Sequence, residues 1–208
     1  MKKTETLLAA IISAGLFGLS YFSILPISLT EVAGFVTGGI CVWLVVKENI
    51  WNWPIGILNN IFFIVLFLQA RLFADTALQV VYIVLGFLGW YWWLKGGKNK
   101  TKLEVANTPK QTMAWLIVIS VIATAVLTYT LIKVNDSAPF LDAVTTVLSL
   151  AAQFLLTKKY IQNWYLWITA DVLYIYLYFS RGLSLTAVLY GVFLTMCIVG
   201  LVKWQKSH

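Results

Sequence analysis

A chain of 208 residues that is 61% hydrophobic and only 11% charged cannot cover itself with polar surface, which excludes a water-soluble globular domain and marks an integral membrane protein. Its net charge of +7 is scattered over separate loops, which argues against a nucleic-acid-binding patch. The single histidine, His208, closes the chain, so a haem ligand, a histidine metal site and a histidine-based triad are excluded, and with no Walker A or G-x-G-x-x-G motif neither a cofactor nor an enzymatic activity is expected.

Eight apolar stretches follow one another, at about 7–25, 32–46, 53–70, 74–94, 113–132, 140–157, 164–180 and 184–203. Each approaches the roughly 20 residues that span hydrocarbon as a helix. Open strands would leave backbone groups unpaired in lipid, so all eight are read as helices. The first follows Met1-Lys2-Lys3 as a signal peptide would, but no A-x-A-like cleavage site comes after it. Residues 1–30 are therefore expected to be an extra apolar helix, spanning the bilayer or lying at its interface.

The second stretch contains Gly34 and Gly38 at GxxxG spacing, which permits close helix approach, and Cys41. The third opens with Trp51-Asn52-Trp53-Pro54 and carries Gly56, Asn59, Asn60 and Phe63. Adjacent amides on a helix point apart, so one of Asn59 and Asn60 is expected to bond a neighbouring helix, and Asn60 is the pocket candidate because it matches Asp171 111 positions later. The fourth presents Asp75, Gln79, Tyr82, Gly86, Gly89 and Trp90 along one stripe. A polar loop from Gly96 to Lys102 leads past Pro109 to the fifth stretch, and the sixth holds Gln153, a buried amide.

The seventh stretch gives the sharpest signal. Trp164, Trp167, Asp171, Tyr174 and Tyr178 recur at spacings of 3, 4, 3 and 4 and so share one helical face. Asp171 lies roughly 10 Å inside the membrane boundary, where a carboxylate costs several kcal/mol unless it meets water, a partner or a ligand. The eighth adds Thr186, Tyr190, Phe193 and Cys197. Neither Cys41 nor Cys197 is expected to form a disulfide.

The chain also repeats itself. Ile50-Trp51-Asn52-Trp53 returns 111 positions later as Ile161-Gln162-Asn163-Trp164, and at that offset Glu31 matches Asp142, Trp43 matches Phe154, Lys47 matches Lys158 and Asn60 matches Asp171. Beyond Arg71 and Arg181 the offset falls to 110, which pairs Thr76-Ala77 with Thr186-Ala187 and Gln79 with Leu189. The expected fold class is an all-α membrane protein. Two three-helix repeats, 31–95 and 140–208, are joined by a loop and linker helix at 96–139, and the lone helix makes the repeats parallel. With a cytoplasmic N-terminus, twelve of the 15 basic residues face the cytoplasm and Arg71, Lys133 and Arg181 face out, a strong positive-inside bias that also places the C-terminus inside.

Duplicated membrane units with polar residues at matched depth are a transporter design, with the substrate between the halves. The residues expected to line the path are Trp53, Asn60, Gln79, Tyr82, Trp90, Trp167, Asp171, Tyr174 and Tyr190. Asn52, Pro54, Asn163 and Trp164 lie at the cytoplasmic mouth and are candidate gate elements, while Trp51, Trp92, Trp93 and Trp204 are read as an interfacial belt. Such an aromatic pocket with one carboxylate suits a flat, hydroxylated, cationic ligand, and with no lysine or arginine at midplane it should reject phosphate esters. A non-transporting receptor or assembly subunit is the rival from another class, disfavoured because a scaffold has no need of matched deep polar groups.

The run Trp51-Asn52-Trp53-Pro54-Ile55-Gly56 to Asn59-Asn60, the segment Phe73 to Tyr82 continuing into Gly89-Trp90-Tyr91-Trp92-Trp93, the segment Tyr160 to Trp167, and Arg181 to Tyr190 together resemble the PnuC family of bacterial vitamin transporters. The resemblance covers residues 31–204 and implies uptake of nicotinamide riboside across the inner membrane by facilitated diffusion, with a cytoplasmic riboside kinase trapping the product. It also implies a three-plus-one-plus-three fold similar to SWEET transporters, and a homotrimer. Nicotinamide riboside is a cationic pyridinium with a carboxamide and ribose hydroxyls, which suits the pocket. Related members carry riboflavin or thiamin, and thiamin, also a cationic aromatic, stays open as an alternative.

Overall fold

The computed structural model describes residues 29–69, 73–180, 182 and 184–207, with isolated positions at 15, 18 and 20–22. The expectation of an extra helix at 7–25 lies largely outside the described residues, as do the side chains of Glu31 and Asp75. Seven helices follow: α1 (Leu29–Val46), α2 (Asn52–Gln69), α3 (Phe73–Lys95), α4 (Lys110–Lys133), α5 (Pro139–Thr157), α6 (Asn163–Ser180) and α7 (Ser184–Ser207). Each coincides with one of the later seven apolar stretches. Among the described residues there is no strand, only a single parallel bridge between Ala106 and Tyr160. Five helices, α2, α3, α4, α5 and α7, are long and apolar enough to cross a membrane. Helix α6 carries four tyrosines, two tryptophans, Asn163 and Asp171, which lower its hydropathy without shortening it.

The helices pack in a pattern that follows from their order. Sequential neighbours pair as α1 with α2, α2 with α3, α5 with α6 and α6 with α7. The two triplets then meet through α1 against α7 and α3 against α5, while α4 packs on α5 with none of its own residues buried. Small residues set these approaches. Gly34 faces the ring of Phe63 on α2, and Gly38 lies 3.6 Å (from a hypothetical Cβ) from Phe193 on α7, so the GxxxG pair serves packing within the chain.

The closest packing gathers at the end of the bundle that carries the 47–51 and 158–162 turns. Gly89 meets the Trp53 ring and Gly200 meets the Trp164 ring, and a side chain at either glycine would collide with the indole. Trp53 stacks edge-on against Trp93 at 5.4 Å, Trp93 lies 6.1 Å from Trp204, and Trp204 stacks edge-on against Trp164 at 5.3 Å. All four indoles are buried. The Trp93 Nε1–H donates to the Leu156 carbonyl (3.0 Å), and the Trp204 Nε1–H donates to the Val45 carbonyl (3.2 Å). These bonds run reciprocally between the triplets, and donors and acceptors alike stand 111 positions apart.

Two expectations are corrected here. Trp93 and Trp204 do not belong to an interfacial belt, because each is buried and its indole N–H has a partner in the protein. Trp51, at 63% exposure, does present itself outward. Second, α3 and α7 run without interruption past their glycines. Gly89 with Gly200 and Trp93 with Trp204 make like contacts at a separation of 111, not the 110 expected for this part of the chain, and at that separation Gln79 is matched by Tyr190 rather than by Leu189.

The connection after α3 is stitched across the second turn. Ile161 N–H donates to the Ala106 carbonyl (2.9 Å), Ala106 N–H donates to the Lys159 carbonyl (3.1 Å), and Gln162 Oε1 accepts from both the Thr108 backbone N–H and its hydroxyl at 2.8 Å. This gives Gln162 a task that Trp51, its counterpart in the first triplet, does not have.

Candidate functional site

Above the tryptophan cluster the triplets leave a cavity of about 500 Å³. Its wall includes Asn60 from α2, Gln79 and Tyr82 from α3, Ser149 and Gln153 from α5, Trp167, Asp171, Tyr174 and Tyr178 from α6, and Tyr190 and Phe193 from α7. Its floor includes Asn52, Trp53, Asn163 and Trp164. Helical phase explains the selection: on α6, residues 164, 167, 171, 174 and 178 turn to the same side, and on α3, residues 79, 82 and 86 do so.

Of the nine residues expected to line a transport path, eight border this cavity: Trp53, Asn60, Gln79, Tyr82, Trp167, Asp171, Tyr174 and Tyr190. Trp90 does not. It packs half-buried against the tryptophan cluster, where the Trp53 ring over Gly89 closes the floor before Trp90 is reached. Of the four gate candidates, Asn52, Asn163 and Trp164 border the cavity and Pro54 does not. Pro54 lies in the first turn of α2, where its missing N–H costs nothing.

The amides divide as helix geometry requires. Thr37 donates to Asn59 Oδ1 at 2.8 Å and so ties α1 to α2, whereas Asn60 makes no hydrogen bond among the described residues. Asn52 Nδ2 donates to the Asn49 carbonyl (2.7 Å) and Asn163 Nδ2 to the Tyr160 carbonyl (2.6 Å), the same bond at positions 111 apart. These amides fasten the turns that begin α2 and α6.

Asp171 is 5% exposed, and its hydrogen bond among the described residues comes from the Cys197 thiol, with sulfur and oxygen 3.4 Å apart. A thiol is a weak donor, so the carboxylate keeps most of its capacity to accept bonds and balance charge. This contact was illegible as sequence, since nothing but the α6–α7 crossing brings the two residues together. At the far end of the cavity the rings of Tyr174, Tyr178 and Tyr190 stack on one another, and Phe193 and Phe35 extend the group. The first triplet offers Phe63 stacked on Phe67 at the equivalent place, without hydroxyls.

No lysine or arginine is among the residues lining the cavity. The basic groups lie beyond the floor. Lys159 Nζ pairs with Glu48 Oε2 at 3.0 Å and stands 4.5 Å from the Trp93 ring centre, and Lys158 Nζ sits 3.1 Å over Trp92. Burial against that ring lowers the pKa of Lys158 from its usual value. Among the described residues no cluster of histidine, cysteine or acidic side chains could hold a metal ion.

Comparison with known proteins agrees with this architecture. Residues 28–206 match the model of the family described as "Nicotinamide mononucleotide transporter". The "Nicotinamide riboside transporter PnuC" of Neisseria mucosa is 32% identical over 190 residues, covering 86% of this chain and 72% of that protein. The protein of the same name from Escherichia coli (strain K12) is 27% identical over 208 residues, 87% of each chain. A solved structure described as "Crystal structure of the Vitamin B3 transporter PnuC" superposes with a TM-score of 0.71 at 26% identity, over 99% of this chain and 92% of that one. The chain therefore belongs to the PnuC family of bacterial vitamin transporters.

Proposed function

We propose that this transporter imports nicotinamide riboside across the bacterial inner membrane by facilitated diffusion, holding it in the cavity between the two helix triplets. The observation that carries the reading is Asp171, a buried carboxylate with no cationic side chain among the cavity-lining residues. A pyridinium would supply the missing charge and a flat face for the surrounding tyrosine and tryptophan rings. The relatives named for nicotinamide riboside support the same substrate, and a family of transporters calls for no catalytic step. The absence of a basic group on the wall favours the riboside over its phosphate ester, since a dianion would enter without a counter-charge.

The architecture that fits this task is two parallel three-helix repeats, residues 31–95 and 140–208, with 96–139 as loop and linker helix and 1–30 as an addition. The reciprocal tryptophan bonds and the matched asparagine turns support it. Transport then proceeds by rocking of one triplet against the other. The tryptophan cluster, with Asn52, Trp53, Asn163 and Trp164, acts as the inner gate, facing the cytoplasm as the basic residues indicate. The indole N–H groups of Trp53 and Trp164 are buried and unpartnered within the protein, a cost of roughly 1–3 kcal/mol each that hydration on opening would relieve. Specificity is placed where the repeats differ, at Asn60 against Asp171 and Gln79 against Tyr190. Kinase trapping in the cytoplasm supplies direction, and the exposed linker helix leaves room for a homotrimer.

The test is a calorimetric screen of the purified protein against nicotinamide riboside, nicotinamide mononucleotide, thiamin, riboflavin and nicotinamide. Binding strongest to the riboside supports the reading. Binding strongest to thiamin or riboflavin would replace the substrate while keeping the transporter, and the riboflavin arm is warranted by the 21% identical "Riboflavin/roseoflavin transporter RibM" of Streptomyces davaonensis.

A further inference from the structure

Three amides on the cavity wall, Asn60, Gln79 and Gln153, make no hydrogen bond among the described residues, so each is available to a ligand. Gln153 differs from the others in its position. It lies three residues before Leu156, whose carbonyl receives the Trp93 indole, and is therefore about 4.5 Å above the tryptophan floor. Buried neighbours Ala151, Ala152, Leu155 and Leu156 pack α5 firmly around it. The corresponding place in the first triplet, 111 positions earlier, is Val42, which offers no polar atom to the cavity it also lines. Just above the floor, where Asn163 offers an unpartnered Oδ1 but commits its Nδ2 to the Tyr160 carbonyl, the wall thus presents an amide with both donor and acceptor free on one side and an apolar side chain on the other.

We propose that Gln153 is a specificity-determining residue that reads the carboxamide of the substrate. The inference rests on the riboside reading above and adds the substrate's orientation to it. Asp171 lies seven residues above Trp164 and Gln153 three above Leu156, so the two differ in depth by about four residues, or roughly 6 Å. With the ring's charge at the level of Asp171, a substituent directed at the floor reaches Gln153. A primary carboxamide there pairs with the Gln153 amide through two parallel N–H···O bonds, each group donating once and accepting once. A carboxylate in its place has no donor for the Gln153 carbonyl oxygen and adds a negative charge near Asp171. The tyrosine hydroxyls and Gln79, at the opposite end, are left for the ribosyl hydroxyls, which need several donors and acceptors.

The experiment measures, in the full chain, the affinities of nicotinamide riboside and of the same pyridinium riboside without its carboxamide. In the wild type the carboxamide is expected to improve binding about tenfold or more. In Gln153→Met, which keeps the length of the side chain, that preference should vanish, with both ligands binding at the level of the analogue. Gln153→Leu should give the same collapse, and measurable binding of the analogue shows that each variant is folded. A preference retained in both variants, or an equal fall for both ligands, overturns the assignment of Gln153 alone. A wild type that binds neither ligand overturns the riboside reading and this inference with it.

Discussion

Glu48 and Lys159 stand 111 positions apart and meet as an ion pair, with Lys159 Nζ 3.0 Å from Glu48 Oε2. Each lies two residues beyond the end of its helix, α1 or α5, and both adopt left-handed backbone conformations, with φ of 53° and 52°. Equivalent turns of the two triplets thus bend alike and then hold one another, with opposite charges at the matched position. The pair lies directly beyond the tryptophan cluster, where Lys159 also faces the Trp93 ring.

Breaking this pair should loosen the end of the bundle. Glu48→Gln leaves Lys159 largely buried without its counter-charge, and a loss of about 1–2 kcal/mol is expected, discounted because Glu48 is partly exposed. Thermal unfolding in detergent would register it as a lower Tm. The exchange Glu48→Lys with Lys159→Glu should recover part of the loss, and no recovery would show that the pairing itself contributes little.

The reciprocal indole bonds make a paired prediction. Trp93→Phe and Trp204→Phe each remove one buried donor from a carbonyl, of Leu156 or Val45, that keeps its second bond from the backbone N–H of Lys159 or Glu48. Loss of the bond should lower stability by about 0.5–1.5 kcal/mol in each case, and by similar amounts because the two settings correspond. A large difference between them would mean that the resemblance of the two contacts does not extend to their energetics.

Asp171→Asn keeps the shape of the side chain and removes its charge. Affinity for a cationic riboside should fall by about tenfold or more while the protein stays folded. Unchanged affinity by calorimetry would take Asp171 out of the site.

Nicotinamide mononucleotide should bind at least about a hundredfold more weakly than the riboside, because its phosphate finds no lysine or arginine on the cavity wall. Equal affinities would sink the argument from missing counter-charge.

The sequence carried much of this structure on its face. Seven helices could be placed because apolar runs of membrane length are an unambiguous signal, and the face of α6 from Trp164 to Tyr178 could be read because a fixed spacing dictates it. Asn60 was separable from Asn59 because adjacent amides point apart on a helix and Asn60 is the one that matches Asp171 at the 111-residue offset. What stayed hidden depends on contacts between distant segments. The Cys197 thiol on Asp171 and the Glu48–Lys159 pair arise from helix crossings that no spacing encodes. Trp93 and Trp204 near helix ends looked like interfacial residues until their burial and hydrogen bonds were visible, although their separation of 111 was a signal in reach. The register of α3 against α7 was misplaced by one because Thr76-Ala77 and Thr186-Ala187 match near the loops, whereas the glycine sockets that fix it lie deeper.

Uptake of radiolabelled nicotinamide riboside into liposomes containing only the purified protein tests the central claim most directly. Saturable entry without a proton or sodium gradient, ending at equal concentrations inside and out, is the expected result. Entry that requires an imposed gradient, or bound riboside that never crosses, would contradict facilitated diffusion through this cavity.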